Sequence, residues 1–150
     1  PEQAERLIAL QHERIDNPDR LRQFDFVARA VVSSEAARDT LFASLSDVQA
    51  RKIEPWTLSV LYYLNHPMRD EQSVKYIRPA LELLPEIQRT GDIFFPGNWS
   101  SNLLAGHRSK EAAEVVRQFL ASHPELHPML RKKVQAAAYF LYRACPSPQR

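Results

Sequence analysis

The chain has 150 residues, 44% of them hydrophobic, with 3 glycines, 11 prolines, one cysteine and a formal net charge of +2. This length corresponds to one ordinary domain with a sufficient core, and the composition excludes the collagen-like, disordered and disulfide-rich classes. Abundant Ala and Leu favour helices, so the sequence predicts an all-α fold. The small, scattered positive charge is a weak argument for an anionic partner such as nucleic acid.

Helix starts are clearly marked in the first part of the chain. Asn17 is a good N-cap, and Pro18 suits the first helical position. A serine at 33 or 34 is the next cap, and Pro55 begins a fourth helix that ends at 65–67. Four helices are therefore predicted, over about residues 2–15, 18–32, 34–45 and 55–65.

Prolines and glycines punctuate the second part of the chain. Asp70 caps a helix in which Pro79 predicts a kink or a restart, because proline clashes inside a continuous helix. The restarted helix ends at Thr90, and Gly91 is predicted as its C′ residue. Pro146 is predicted to stop the last helix. The remaining predicted helices cover about residues 98–105, 109–122 and 128–144.

The predicted helices group into pairs that start near residues 1, 33, 70 and 109, close to the period of helical solenoid repeats. We therefore expect a single helical domain over residues 1–150, a right-handed stack of antiparallel helix pairs of the HEAT or armadillo type. An irregular helix bundle is the alternative, because the match is in period and punctuation only. We also expect a fragment of a longer chain, with any targeting signal upstream, because the N-terminus has neither a signal pattern nor an initiator Met.

Residues 91–99 are the most distinctive segment, because they carry three closely spaced aromatic side chains. One interpretation is a binding platform; the favoured one is that Phe94, Phe95 and Trp99 plug the gap between adjacent helix pairs. On the last helix Tyr139 lies opposite the buried stripe among charged residues, which indicates either an interface or a solvated tyrosine. The candidate interface or cavity-lining residues are Asp92, Asn98, Trp99 and Tyr139.

No catalytic, cofactor-binding or metal-ligating residue is predicted in this chain. His123 and His127 have the spacing of a zinc pair, but Glu125 is one place late for H-E-x-x-H, and flanking prolines indicate a turn. The glycines form no phosphate loop, and Cys145 is interpreted as an incidental thiol because no histidine pairs with it. The basic run at 131–133 fans around its helix, as a solvated face does.

Six stretches carry a family resemblance: NPDRLRQF at 17–24, EPW at 54–56, KYIRPALELL at 75–84, GDIFFP at 91–96, GHRS with EAA at 106–113, and LRKKVQAA at 130–137. Together they resemble the C-terminal helical domain of bacterial zinc metallopeptidases of the aminopeptidase N type, the gluzincins. The resemblance covers roughly residues 17–144. None of these stretches is a catalytic motif, so the resemblance identifies a domain and not a mechanism.

The resemblance implies a helical, solenoid-like cap that closes over the active-site cleft of a parent enzyme and limits which peptides enter. The family's catalytic domain holds zinc through H-E-x-x-H and a later Glu, and it binds the substrate amine through G-x-M-E-N; neither motif occurs here. The fragment itself is therefore expected to be non-catalytic, without a cofactor. The parent would remove N-terminal residues from peptides with a zinc-activated water and a Glu general base. The implied partners are the catalytic domain of the same chain and peptide substrates, in the cytoplasm or the periplasm.

Two other functions remain open from the residues. A free-standing α-solenoid module for protein–protein interaction would have the same helices without any peptidase. A nucleic-acid-binding helical repeat is disfavoured, because the basic charge is scattered. No membrane span is predicted, because the longest apolar run is far shorter than the roughly 20 residues that cross a bilayer.

Overall fold

All regular structure in this protein is helical. The computed structural model describes residues 2–145, and in this range it has helices and no strand, so the all-α prediction is confirmed. A 3₁₀ turn at Pro67–Arg69 precedes the fifth helix. The helices are α1 (Glu2–Glu13), α2 (Pro18–Ala28), α3 (Glu35–Ser44), α4 (Glu54–Leu64), α5 (Asp70–Glu82), α6 (Leu84–Thr90), α7 (Phe95–Leu104), α8 (Lys110–Ser122), α9 (Pro128–Ala137) and α10 (Tyr139–Ala144).

The chain divides into two compact units, of which the first is Pro1–Leu64. In this unit α2 packs on α4, while α1 contacts α2 and α3 contacts α4. The rings of Phe26 and Trp56 join α2 to α4 with centroids 5.9 Å apart. No residue of α1 is buried, so α1 lies at the periphery of the unit. The buried apolar residues are Ala28, Ala30, Leu41, Leu45, Val60, Leu61 and Leu64.

The second unit is Asn65–Arg150. Its main contacts are between α5 and α8 and between α7 and α9, with α6 against α7 and α10 against α8 and α9. The stripe predicted on the last helix is Leu130, Val134, Ala137 and Leu141. Leu130, Val134 and Leu141 are buried, but Ala137 is only partly buried, and Ala138 is buried in its place. Tyr139 is exposed, as predicted. The other large, fully buried side chains of the second unit are Ile77, Leu81, Leu84, Ile87, Trp99, Leu103, Leu104 and Phe119.

Three of the predicted side-chain caps are confirmed. The cap predicted at Asp70 is wrong, because Asp70 is the first residue of α5 and this helix has no side-chain cap hydrogen bond. The Asn17 side chain accepts the N–H groups of the first turn of α2, at 3.0 Å each. Ser34 accepts the N–H of Ala37 in α3, and Ser109 accepts the N–H of Ala112 in α8. Each cap satisfies an orphan donor and stabilises its helix by about 1 kcal/mol.

Several helix ends differ from the predicted ones, although α6 ends at Thr90 and α8 at Ser122 as predicted. Pro79 lies inside α5, so the predicted break there is wrong. Its ring is on the exposed side of the helix, while Ile77, Ala80 and Leu81 continue the buried stripe across it. Burial of this stripe outweighs the one helical hydrogen bond that proline removes. The break comes at Leu83 instead, after which α6 begins with a proline in its first turn.

Gly91 is the C-cap of α6 and not the predicted C′ residue, and its φ of −100° and ψ of 179° are extended. The helix predicted at 98–105 begins earlier, at Phe95, and the helix predicted to end at about 32 stops at Ala28. The last predicted helix is interrupted at Ala138, which separates α9 from α10. The predicted stop at Pro146 lies outside the described residues.

Arginine side chains satisfy several helix ends. Within residues 2–145 no residue has a positive φ, so no helix there ends with a left-handed cap. Instead Arg38, Arg51, Arg108 and Arg131 each donate from the guanidinium to two main-chain carbonyls in the last turn of a helix or in the turn that follows it. We call these pairs of hydrogen bonds carbonyl clamps. The carbonyls belong to Val32 and Ser33, Leu45 and Ser46, Ala105 and His107, and Leu120 and His123, respectively.

Candidate functional site

Residues 92–99, expected to form a compact aromatic loop, are helical from Phe95 onwards, because α7 begins there. The Asp92 carboxylate accepts the N–H groups of Phe94 at 2.7 Å and Phe95 at 2.8 Å. These bonds cap α7 and fix the direction in which the aromatic side chains leave the backbone. Asp92 is itself exposed, so its carboxylate edge remains on the surface of the second unit.

Two of the three aromatic residues pack inside the second unit, as the plug interpretation predicts. Trp99 is fully buried and Phe95 is 3% exposed, with their rings 5.9 Å apart and nearly perpendicular. The Trp99 indole donates from Nε1 to the carbonyl of Ala80 at 3.0 Å, so it joins α7 to α5. The plug prediction is wrong for Phe94, which is 66% exposed beside the exposed Ile93.

Asn98 and Tyr139 are both on the surface. Asn98 is exposed on α7, where its carbonyl accepts from the side chain of Asn102 at 2.8 Å. Tyr139 is 52% exposed; Arg143 lies over its ring at 5.7 Å, and Phe140 meets its edge. Both contacts are made within α10. The contact with Arg143 agrees with the prediction that Tyr139 lies among charged residues. An interface role for Asp92, Asn98 and Tyr139 stays a prediction, whereas Trp99 is an interior residue.

The two histidines with zinc-like spacing have structural partners. His123 Nδ1 lies 2.9 Å from the carbonyl of Phe119, and its ring packs against the Phe119 ring. His127 accepts the N–H of Met129 at 3.2 Å and so caps α9. A cavity of about 370 Å³ beside them is also lined by Glu125 and Glu82. In the described part of the chain no three His, Cys, Asp or Glu side chains are grouped closely enough to hold a metal ion.

Sequence reasoning missed a buried polar network in the second unit. His107 is fully buried, with Nδ1 2.7 Å from Asp70 Oδ1 and Nε2 3.0 Å from the side-chain amide of Asn65. The other oxygen of Asp70 accepts the N–H of Arg108 at 3.0 Å. The network ties the turn after α7 to the start of α5. It leaves His107 without access to a substrate, so we assign it a structural role.

The protonation of His107 should make the second unit sensitive to acid. Burial lowers the pKa of His107, and the hydrogen bond that the Asp70 carboxylate accepts only partly opposes the shift. The unfolded chain therefore binds the proton more tightly, so stability is fully present above pH about 6.5 and is lost as the pH falls below it, by at most about 1.4 kcal/mol per pH unit. We expect lower urea midpoints at pH 5.5 than at pH 7.5.

The measurement uses Trp99 fluorescence in a Trp56→Phe background, which restricts the signal to the second unit. As a control, His127→Gln should keep the pH dependence, because His127 is exposed. A His107→Asn variant should flatten the dependence. A stability that stays constant or rises towards acid would contradict the assigned direction.

Comparisons of the chain with protein-family models, with curated proteins and with solved structures find no match. The resemblance to aminopeptidase N-type enzymes therefore depends on the quoted stretches alone. Among the helices of residues 2–145, none has both the length and the hydrophobicity of a membrane-spanning segment.

Proposed function

We propose that this chain is a non-catalytic helical accessory domain of a bacterial zinc aminopeptidase of the aminopeptidase N type. In this role it covers part of the active-site cleft and restricts the peptides that enter. The observation that supports the proposal is the position of the six resembling stretches. They supply an N-cap at Asn17, the Ala80 carbonyl that holds Trp99, and the turn at Gly106 and His107. Residues in these positions stabilise the fold and take no part in catalysis, as is expected in an accessory domain.

A solenoid-like arrangement inside each unit is part of the proposal. In the second unit α5 packs on α8 and α7 packs on α9, so the helices of one pair meet the corresponding helices of the next. In the first unit the second helices of successive pairs, α2 and α4, meet in the same way. This arrangement supports a repeat of helix pairs, because stacking of neighbours is what buries the core of a solenoid.

A protein–protein interaction module is the second candidate, and exposed apolar side chains favour it. Ile93, Phe94 and Phe140 in the second unit are each about two-thirds or more exposed. Large exposed apolar side chains are common where proteins meet. The partner in the main proposal is the catalytic domain of the parent, and in the second it is a separate protein.

The decisive experiment compares the parent enzyme with and without residues 1–150. We expect kcat/KM for a long peptide relative to a short chromogenic substrate to change by about tenfold, which corresponds to about 1.4 kcal/mol of differential binding. An unchanged ratio in a well-folded truncated enzyme would reject the cap role. Absence of a zinc-peptidase domain from the natural full-length protein would favour the interaction module.

The isolated chain should release no amino acid from aminoacyl substrates and should retain no zinc after dialysis. The reason is that His123 and His127 have no third ligand, since no three His, Cys, Asp or Glu side chains in the described part of the chain could hold a metal ion. Metal analysis and a chromogenic aminopeptidase assay are the measurements. Zinc retained at one equivalent, and lost on replacing both histidines, would contradict this expectation.

A further inference from the structure

The first unit contains a cleft of about 590 Å³ at the turn between α1 and α2. One wall is the turn itself, which includes Arg14 and Ile15. A second wall is one face of α2, which presents Arg20 and Phe24, and Tyr63 of α4 forms the third. The volume lies within the range of roughly 300–1,000 Å³ that is usual for small-molecule sites.

Two arginines that line the cleft have uncommitted guanidinium groups. Neither Arg14 nor Arg20 forms a side-chain hydrogen bond or ion pair with any residue in the range 2–145. Arg22 of the same unit pairs with Asp19, and Arg38 forms a carbonyl clamp, whereas the exposed Arg6 and Arg29 do not line the cleft. The cleft therefore brings together the donors that bind an oxyanion in a bidentate manner.

The remaining lining residues define the rest of the ligand. Ile15, Phe24 and Val27 are half-buried and supply apolar surface beside the guanidinium groups. Asp16 is the one acidic residue among the lining residues, so the two arginines leave the cleft with a net positive charge. We propose that the cleft binds a small organic anion, with a carboxylate or phosphate group held by Arg14 and Arg20 and an apolar body lying against Phe24 and Val27.

The cavity in the second unit has the opposite charge and is an internal control. It is smaller, about 370 Å³, and Glu82 and Glu125 line it together with His123 and His127. A carboxylate or phosphate would be repelled there, since like charges disfavour each other. Another cavity of the second unit, about 400 Å³, is lined by Arg117, but this guanidinium already donates to the Cys145 carbonyl and lies 3.7 Å from Glu114. Binding of an organic anion is therefore expected in the first unit. The proposed site does not depend on the proposed function.

The test is a chemical-shift titration of the ¹⁵N-labelled chain with benzoate, phenyl phosphate and the neutral benzyl alcohol. We expect both anions to shift the amide signals of Gln23, Ser59 and Tyr63, and the neutral probe to bind at least about tenfold more weakly. Tighter binding of benzoate would assign carboxylates as the ligand class, and tighter binding of phenyl phosphate would assign phosphate esters.

Matched variants distinguish binding in the cleft from non-specific attraction of the anion to the positively charged surface. Arg14→Gln combined with Arg20→Gln should weaken anion binding at least about tenfold. Arg29→Gln removes an exposed arginine of the same unit that does not line the cleft, so it should leave binding unchanged. Circular dichroism checks that the variants fold, which is expected because both lining arginines are exposed.

The proposal is overturned by unchanged binding in the double variant or by equal binding of benzyl alcohol. It is also overturned by shifts confined to the second unit, or by no shift with either anion.

Discussion

Gly106→Ala is expected to unfold the second unit or to destabilise it by at least about 3 kcal/mol, because no atom in its way can rotate aside. A Cβ at this position would lie 1.7 Å from the carbonyl oxygen of Asn65, 2.9 Å from its carbonyl carbon and 3.1 Å from the nitrogen of Pro67. All three are main-chain atoms. The requirement is one of close approach, since Gly106 has no positive φ that would demand glycine.

Gly97→Ala is the matched control for this prediction. Gly97 lies in α7, and the nearest atoms to its Cβ would be those of the Lys133 side chain, at 3.6 Å or more. Alanine is the better helix former, so we expect a neutral effect or stabilisation of up to about 1 kcal/mol. Urea unfolding followed by circular dichroism measures both variants. Equal costs at the two positions would contradict the steric explanation.

Trp99→Ala is expected to destabilise the second unit by about 3–5 kcal/mol, because it removes a fully buried ring and leaves a cavity. It also removes the indole donor from the Ala80 carbonyl on α5. Trp99→Phe should cost less, because it keeps an aromatic ring and loses mainly the hydrogen bond. The measurement is the denaturant midpoint of each variant.

Phe94→Ala is the surface counterpart from the same segment. Phe94 is 66% exposed, so its truncation should change the free energy of unfolding by less than about 1 kcal/mol. If Trp99→Ala were equally mild, the packing role of Trp99 would be wrong. A Phe94→Ala variant that folds normally is also suitable for partner-binding assays, because it alters the exposed apolar surface alone.

Local chemistry explains how much of the fold could be predicted. The starts of α2, α3 and α8 follow from single capping residues at Asn17, Ser34 and Ser109, which act within three residues of themselves. The helix ends could not be predicted in the same way, because arginine side chains satisfy several of them from the following helix or turn. The break predicted at Pro79 is wrong for a related reason, since only the packed structure shows that the proline ring faces away from the core.

The candidate sites were less predictable, because they join residues far apart in the chain. His107 lies 37 residues from Asp70 and 42 from Asn65, and a lone histidine carries no signal for such partners. The cleft could not be predicted either, because Arg14 and Arg20 form its lining only together with a face of α4, which lies about 40 residues later in the chain. By contrast, the surface position of Tyr139 follows from helical periodicity alone and could be predicted.

The carbonyl clamps change which substitutions the chain can accumulate during evolution. Arg38 and Arg51 are only 5% and 3% exposed, and each reaches carbonyls five and six residues earlier in the chain. A lysine has the same charge, but its ammonium is more strongly hydrated than a guanidinium and therefore costs more to bury. Exchange for lysine should therefore be as restricted at these positions as exchange at a buried leucine. Arg14 and Arg20 are exposed, so only a bound ligand would restrict their substitution during evolution.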